Sequence, residues 1–281
     1  MVRSAGRSPP MTRLSLVHLS DLHFGSVVLP IRRAELLRKV ADVVRQEVKH
    51  DSALVVAITG DVTTKGQPSA YEEAARHLEG FLSLLNPALV VTCPGNHDIT
   101  ARSDPHFTHF NEFAFRVTND SRQVFTANNT VSTVEYADTA FLLVNSAYHG
   151  DHGRGEVRLE DLDTALENSR SKQCFILLHH SPLSSTYGGD ALINGYEFLA
   201  RAARARVAAV LHGHVHTEQV LAIGPRPTAL LGVGSLMFTP SPNYNNEFSI
   251  VDFEGDQVIT ATCYRYLADR REFARMEMPW V

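Results

Sequence analysis

The sequence predicts an α/β fold of four layers (α/β/β/α), in which two mixed β-sheets lie face to face and helices cover their outer faces. As far as residue 211, short apolar runs alternate with amphipathic stretches, which is the pattern of parallel strands joined by crossover helices. Beyond that point the helical pattern stops and strand-like runs separated by turn residues follow, as in antiparallel sheet. No linker, repeat or low-complexity tract interrupts the 281 residues. We therefore expect one large domain over residues 13–281.

Composition sets limits on the partners. Hydrophobic residues make up 44% of the chain and charged residues 20%, which is typical of a soluble globular protein. The formal net charge of −5 shows no basic excess and argues against a nucleic-acid partner. No run approaches the roughly eighteen apolar residues of a membrane span, so no membrane partner is expected.

The cysteines and the N-terminal residues indicate the cellular compartment in which the protein is expected. Three cysteines lie in apolar strand-like runs without a Cys-x-x-Cys pair: Cys93, Cys174 and Cys263. This pattern predicts reduced buried thiols in a cytoplasmic protein. Residues 1–12 contain Arg, Ser and Pro and lack the apolar segment of a signal peptide. We expect them to form a disordered extension, and the sequence leaves open whether Met1 or Met11 is the start.

The first part of the chain alternates regularly between strands and helices. Apolar, β-branched runs predict strands at 14–20, 53–59 and 88–94, and helical spacing predicts helices at 30–48 and 69–85. Pro30 is well placed to begin the first helix. Ser69 and Glu72 are spaced as a capping box for the second.

The remainder is expected to complete both sheets. Helices are predicted at 104–115, 158–169 and 195–205, a polar hairpin at 123–135 and a mobile flap at 183–193. Further strands are predicted at 139–144, 174–178, 207–211, 219–223, 228–233, 247–253, 257–266 and 272–278.

The polar residues best able to bind an ion or take part in catalysis lie at the ends of these strands. Asp61 follows Gly60 at the end of an apolar run, and ligands of such sheets bind outside the carboxyl ends of the strands. Asp21 and His23 follow the first strand, where residues two apart point to one side and can reach a single ion. The same placement recurs in Gly95-Asn96-His97-Asp98, His179-His180-Ser181-Pro182 and Gly213-His214-Val215-His216.

This ordered set of strand ends resembles the five sequence blocks of the calcineurin-like metallophosphoesterase superfamily, over residues 21–216. The resemblance implies a dinuclear site of two divalent or trivalent transition-metal ions at the carboxyl ends of the strands. Asp61 would bridge the ions, since one carboxylate offers two oxygens. Asp21, His23 and His216 would complete the first ion, and Asn96, His180 and His214 the second. Nitrogen and oxygen ligands without thiolate suit manganese, iron or zinc.

For one of these ligands, a histidine, the residue before it in the sequence is also a histidine and is an alternative ligand. Family members place this histidine two residues before the proline, which selects His180. A slip of one residue would exchange it with His179.

His97 and Asp98 are the expected catalytic residues. The family uses the histidine near the leaving group, which predicts that His97 acts as general acid or as a donor to the phosphoryl oxygens. Asp98 is expected to accept the Nδ1 proton of His97 and orient the ring. The alternative for Asp98 is an ordinary helix N-cap.

The implied reaction is hydrolysis of a small-molecule phosphoester by attack of a metal-bound hydroxide. The block from Gly60 to Gly66, followed by Tyr71-Glu72, resembles the class III cyclic-nucleotide and glycerophosphodiester phosphodiesterase branch. Thr64 occupies the position where purple acid phosphatases carry tyrosine. The alternatives are a phosphomonoesterase, a nucleotide pyrophosphatase or a nuclease on the same site, or a non-catalytic scaffold of the same fold.

Two further sets of residues are candidates for contacts. Substrate choice is assigned to residues on the intervening loops and helices: Phe107, His109, Tyr148, His149, Arg154, Tyr187 and Asn194. An apolar edge near the C-terminus could support a homo-oligomer: Phe273, Met276, Met278 and Trp280.

Overall fold

The structure is a computed structural model that describes residues 13–26, 31–100, 106–151, 153–184, 190–238 and 244–277. Several sequence expectations fall outside these ranges. They are the disordered extension at 1–12, the helix start at Pro30, residues 185–189 of the flap with Tyr187, and the apolar residues Met278 and Trp280.

The first sheet has six strands in the order β12-β11-β10-β1-β2-β3. Its parallel part is formed by β1 (Arg13–Leu19), β2 (Ala53–Thr59) and β3 (Leu89–Cys93). Its antiparallel part is formed by β10 (Glu247–Glu254), β11 (Gln257–Leu267) and β12 (Glu272–Glu277). The sheet is therefore mixed, as expected.

The second sheet also has six strands, in the order β4-β5-β6-β7-β9-β8. They are β4 (Val131–Tyr136), β5 (Thr139–Val144), β6 (Gln173–Leu177), β7 (Ala209–His212), β8 (Gln219–Ile223) and β9 (Thr228–Gly232). The four strands β5, β6, β7 and β9 run parallel, and β4 and β8 pair antiparallel at the two edges.

Five α-helices are found in the described residues: α1 (Arg33–Glu47), α2 (Pro68–Leu85), α3 (Thr108–Thr118), α4 (Leu159–Asn168) and α5 (Gly195–Ala205). A short 3₁₀ turn at Asn96–Asp98 follows β3. No helix in the described ranges combines the length and apolar character needed to cross a membrane. The three cysteines are buried free thiols.

The four layers follow from the alternation of side chains along the central strands. On β5 and β6, Phe141 and Phe175 belong to the core between the sheets, whereas Leu142 and Ile176 belong to the core beneath α4 and α5. Successive strand residues point to opposite faces, so a continuous apolar run buries both. The rings of Phe175 and Phe253 lie 4.8 Å apart and join the two sheets.

Two local predictions are wrong. Helix α2 begins at Pro68, after the N-cap residue Gln67, and has no side-chain cap. Proline is favoured at the first helical position. The predicted capping box of Ser69 and Glu72 therefore does not form the start of the helix. The predicted polar hairpin is displaced. Its strands are β4 and β5, which turn at Ala137 with φ of 52°.

Candidate metal centre

The predicted ligands converge because the strands that precede them end side by side. β1, β2 and β3 are parallel neighbours in one sheet, and β6 and β7 are parallel neighbours in the other. Hydrogen bonds link the strand ends of the two sheets. The backbone N–H of His214 donates to Oδ2 of Asp21 at 3.1 Å, and Nδ1 of His179 lies 2.8 Å from the carbonyl oxygen of Thr59.

The backbone at these strand ends adopts an unfavourable conformation. Among the described non-glycine residues with positive φ, five are predicted ligands: Asp21, His23, Asp61, His214 and His216. The other five lie at helix C-caps or in hairpin turns: Asn86, Asn119, Ala137, Arg206 and Arg271. Left-handed backbone at side chains of this kind is a form of strain that clusters at functional sites. It supports a functional role for this cluster independently of the sequence motifs.

One group consists of Asp21, His23 and His216, whose potential ligand atoms lie within 4.8 Å of one another. Nε2 of His216 is 3.0 Å from Oδ1 of Asp21, and Nε2 of His23 is 3.7 Å from the same oxygen. Asp21 is fully buried. Although burial opposes its charged form, His216 and His179 hold the pKa of Asp21 well below its usual value.

A second group consists of Asp61, His179 and His214. Nε2 of His179 lies 3.2 Å from Oδ2 of Asp61 and 3.2 Å from Nδ1 of His214. Oδ2 of Asp61 is also 3.7 Å from Nε2 of His23 in the first group. The other oxygen, Oδ1, accepts a hydrogen bond from the backbone N–H of His97 at 2.9 Å. One oxygen of Asp61 thus faces both groups, as a bridging ligand must.

The donor set fits a pair of cations. Because Nδ1 of His179 must donate its proton to the Thr59 carbonyl, Nε2 of the neutral ring presents a lone pair to the Asp61 carboxylate. These two acceptors repel each other unless a positive charge lies between them. Burial opposes protonation, yet the carboxylates of Asp61 and Asp21 raise the pKa of His179 to about 10 in the metal-free protein. A metal ion would supply that charge in place of the proton.

The structure places His180 differently from the sequence expectation. Nδ1 of its ring lies 2.8 Å from Oγ of Ser146, and His180 is absent from both groups of converging ligand atoms. His179 occupies the expected position instead. β6 ends at Leu177, so both histidines lie beyond the regular strand, where alternation no longer determines which side chain faces the site.

Asn96 and His97 lie beside Asp61 in the turn after β3. Asn96 is buried. The ring of His97 is partly exposed, with Nε2 4.0 Å from Oδ2 of Asp61. Nδ1 of His97 is 2.8 Å from the carbonyl oxygen of Thr64, which therefore holds the proton on Nδ1 and turns Nε2 toward the site. His97 is positioned to contact a substrate at the rim.

Asp98 does not make the expected contact with Nδ1 of His97. Its buried carboxylate accepts backbone hydrogen bonds from Val62, Thr63 and Gly95 at 3.0–3.2 Å. Burial raises the pKa of Asp98, and these donors oppose that shift. Asp98 ties together the loops that carry Asp61 and Asn96, which resembles the N-cap alternative, and its catalytic role stays a prediction.

Glycines permit the close approach of these loops. A Cβ atom on Gly95 would overlap Oδ1 and the backbone N of Asp61, and one on Gly213 would overlap Oγ of Ser20 and Oδ2 of Asp21. Both residues precede predicted ligands. Only glycine leaves room for the carboxylates.

Several of the residues predicted to contact substrate make structural contacts instead. Phe107 is buried, and the Asn194 side chain is engaged with the backbone of Val157 through both amide atoms. The ring of Tyr148 packs beneath the guanidinium of Arg158 at 4.9 Å. Packing therefore accounts for the positions of Phe107, Asn194 and Tyr148. Tyr187 lies outside the described ranges.

The comparisons with known proteins agree with this geometry. Residues 14–218 match the family model described as calcineurin-like phosphoesterase, and the chain belongs to this family. It is 26% identical over 220 residues to a probable cyclic nucleotide phosphodiesterase of Coxiella burnetii, covering 74% of this chain and 78% of that protein. It is also 26% identical over 233 residues to a cAMP/cGMP dual specificity phosphodiesterase of Mycobacterium tuberculosis, covering 77% and 66%.

A solved structure shows the same fold. A dimetal phosphatase from Danio rerio superposes with a TM-score of 0.61 at 14% identity, covering 96% of this chain and all of that one. At this level of identity the likeness establishes the architecture. The predicted fold class is therefore confirmed.

Proposed function

We propose that this protein is a phosphodiesterase that hydrolyses cyclic nucleotides or small phosphodiesters at a dinuclear metal centre. The observation that carries the proposal is the position of Asp61, whose Oδ2 faces both groups of ligand atoms, 3.2 Å from His179 and 3.7 Å from His23. Such sharing is what a bridged pair of cations requires. The names of the two curated relatives favour a cyclic nucleotide as substrate.

The ligand set proposed here differs from the sequence-based one at one position. Asp21, His23 and His216 would hold one ion, and Asn96, His179 and His214 would hold the other, with Asp61 shared between them. Bound cations supply Lewis-acid charge at the phosphoryl group and lower the pKa of water. Manganese, iron and zinc suit the nitrogen and oxygen ligands equally.

Groups of the protein itself position the proton donor for the reaction. The Thr64 carbonyl holds the proton on Nδ1 of His97, at 2.8 Å, so Nε2 is the ring atom that faces the site. From there His97 donates to the phosphoryl oxygens or protonates the leaving alkoxide. No serine or cysteine nucleophile is needed, and the displacement is direct.

Turnover by Mn-reconstituted protein tests the proposal. The substrates are 3′,5′-cyclic AMP, 3′,5′-cyclic GMP, a glycerophosphodiester and p-nitrophenyl phosphate, and the Asp61→Asn variant supplies the background rate. We expect the diesters to be hydrolysed with higher kcat/KM than the monoester. Preference for the monoester would contradict the proposal in favour of a phosphomonoesterase. Absence of turnover of every substrate would favour a non-catalytic scaffold.

A further inference from the structure

His23 differs from His179, the other buried histidine of the two ligand groups, in how its ring is held. A metal-ligating histidine almost always donates its second ring N–H to a carboxylate, carbonyl or water, which fixes its orientation. For His179 that partner is the Thr59 carbonyl. His23 is almost fully buried, and its Nδ1 atom has no hydrogen-bond partner among the described residues.

Phe238 packs against the ring of His23. Its ring centroid lies 4.5 Å from the ring of His23 in a tilted packing, the shortest ring contact that His23 makes in the described residues, and 5.7 Å from the ring of His216. His97 completes the enclosure of His23 edge-on at 5.1 Å. No ring contact joins Phe238 to His179 or His214 within the described part of the chain. Phe238 therefore touches the histidines of one proposed ion only.

The backbone of Phe238 is fixed to the strand end that carries His23. Oγ of the buried Ser235 accepts a hydrogen bond from the Phe238 backbone N–H at 2.7 Å and donates one to the carbonyl oxygen of Asp21 at 2.7 Å. The backbone N–H of Leu236 also donates to the carbonyl of Ser20 at 3.1 Å. These bonds fix the backbone of Phe238 relative to the segment that leads into His23.

We propose that Phe238 is a positioning residue for the first metal ion, and that its aromatic face orients His23 in place of a hydrogen-bonded partner. Aromatic rings packed in this way prefer particular mutual orientations, so the contact favours one orientation of the His23 ring over another. The inference rests on the proposed dinuclear centre, and it concerns metal affinity rather than substrate.

The test measures Mn²⁺ binding by titration calorimetry, with electron paramagnetic resonance to distinguish a coupled pair of ions from a single one. The variants are Phe238→Ala and Phe238→Leu, where leucine keeps most of the volume but not the flat ring. Phe238→Tyr retains the ring and should restore binding. Phe115→Ala, at an exposed position on α3, is the matched control.

We expect wild-type protein to bind two ions and to show the coupled signal. In Phe238→Ala and Phe238→Leu one ion should bind as in wild type, while affinity for the other falls about 10–100-fold and the uncoupled signal appears. In a His23→Ala background, removal of Phe238 should have little further effect, because both residues act through one contact.

Three results would overturn the inference. They are two ions bound with wild-type affinity by Phe238→Ala, equal weakening of both ions, or an undiminished effect of Phe238→Ala in the His23→Ala background. Wild-type protein that binds fewer than two ions would overturn the dinuclear centre itself, and the inference with it. The two failures are therefore distinguishable by the behaviour of the wild type.

Discussion

The hydroxyl group of Tyr71, on helix α2, donates a hydrogen bond to Oδ1 of Asp98 at 2.9 Å. Asp98 in turn accepts the backbone N–H groups of Val62 and Gly95, which flank Asp61 and Asn96. A helix on the outer face of the sheet is thus connected, through one carboxylate, to the loops that carry proposed ligands of both ions.

Replacement of Tyr71 by Phe should lower the free energy of unfolding by about 1 kcal/mol, because one buried hydrogen bond is lost while Asp98 keeps its backbone donors. Metal stoichiometry should stay at two, measured by elemental analysis beside chemical denaturation. Asp98→Asn should be more damaging, since an amide N–H₂ group cannot accept from the backbone. Loss of metal in Tyr71→Phe would show that the hydroxyl has a direct role at the centre.

Replacement of Asp61 by Asn should remove both ions and reduce kcat by at least about 10²-fold, because an amide nitrogen would replace the oxygen shared by the two groups. The measurement is metal content after desalting, together with diester turnover. Asp51→Asn, a surface position paired with Arg13, is the control and should match wild type. Equal metal occupancy in Asp61→Asn and wild type would argue against the bridge.

The adjacent histidines should give opposite results. His179→Ala should lose the second ion, because Nε2 of His179 faces Asp61. His180→Asn should retain both ions, since the asparagine amide can keep the contact with Ser146 and His180 is absent from both groups of converging ligand atoms. Elemental analysis of the two variants decides between them. Loss of metal in His180→Asn alone would restore the assignment made from the sequence.

Replacement of His97 by Asn should leave metal content unchanged and lower kcat by about 10²–10⁴-fold for diesters with alkoxide leaving groups. The loss should be smaller for bis-p-nitrophenyl phosphate, because nitrophenolate departs without protonation. The ratio of the two effects is the measured quantity. An equal loss for both leaving groups would contradict the role of His97 as proton donor.

A Gly95→Ala change should abolish metal binding, because the added Cβ would overlap the carboxylate and backbone of Asp61. Gly80→Ala provides the matched control on α2, where a Cβ would meet nothing within 4 Å. Alanine is the better helix former there and should stabilise the protein by roughly 0.5–1 kcal/mol. Thermal unfolding and metal content of the two variants provide the comparison. Normal metal binding by Gly95→Ala would contradict the packing argument.

Much of the fold was predictable because apolar runs and helical spacing report burial directly. The predicted helix at 195–205 coincides with α5, and the predicted strand at 53–59 coincides with β2. The convergence of Asp21, Asp61 and His214 followed from the rule that ligands gather at the carboxyl ends of strands.

The features that sequence reasoning missed depend on contacts without a residue-type signal. The partner of His97 is the Thr64 carbonyl, and every residue carries such a group. Which of the two histidines, His179 or His180, lies beside Asp61 depends on the direction of the chain after β6 ends. The contact of Phe238 with His23 joins positions more than two hundred residues apart, and no motif marks it.

The left-handed backbone at five of the proposed ligands has an evolutionary consequence. A glycine at any of these positions would relieve the conformational cost of the positive φ. At Asp21 and Asp61 it would also leave the backbone N–H groups of His214 and His97 without their carboxylate acceptors. In a descendant that kept the architecture as a scaffold, we therefore expect the three histidine positions to drift toward glycine or asparagine before the two aspartates.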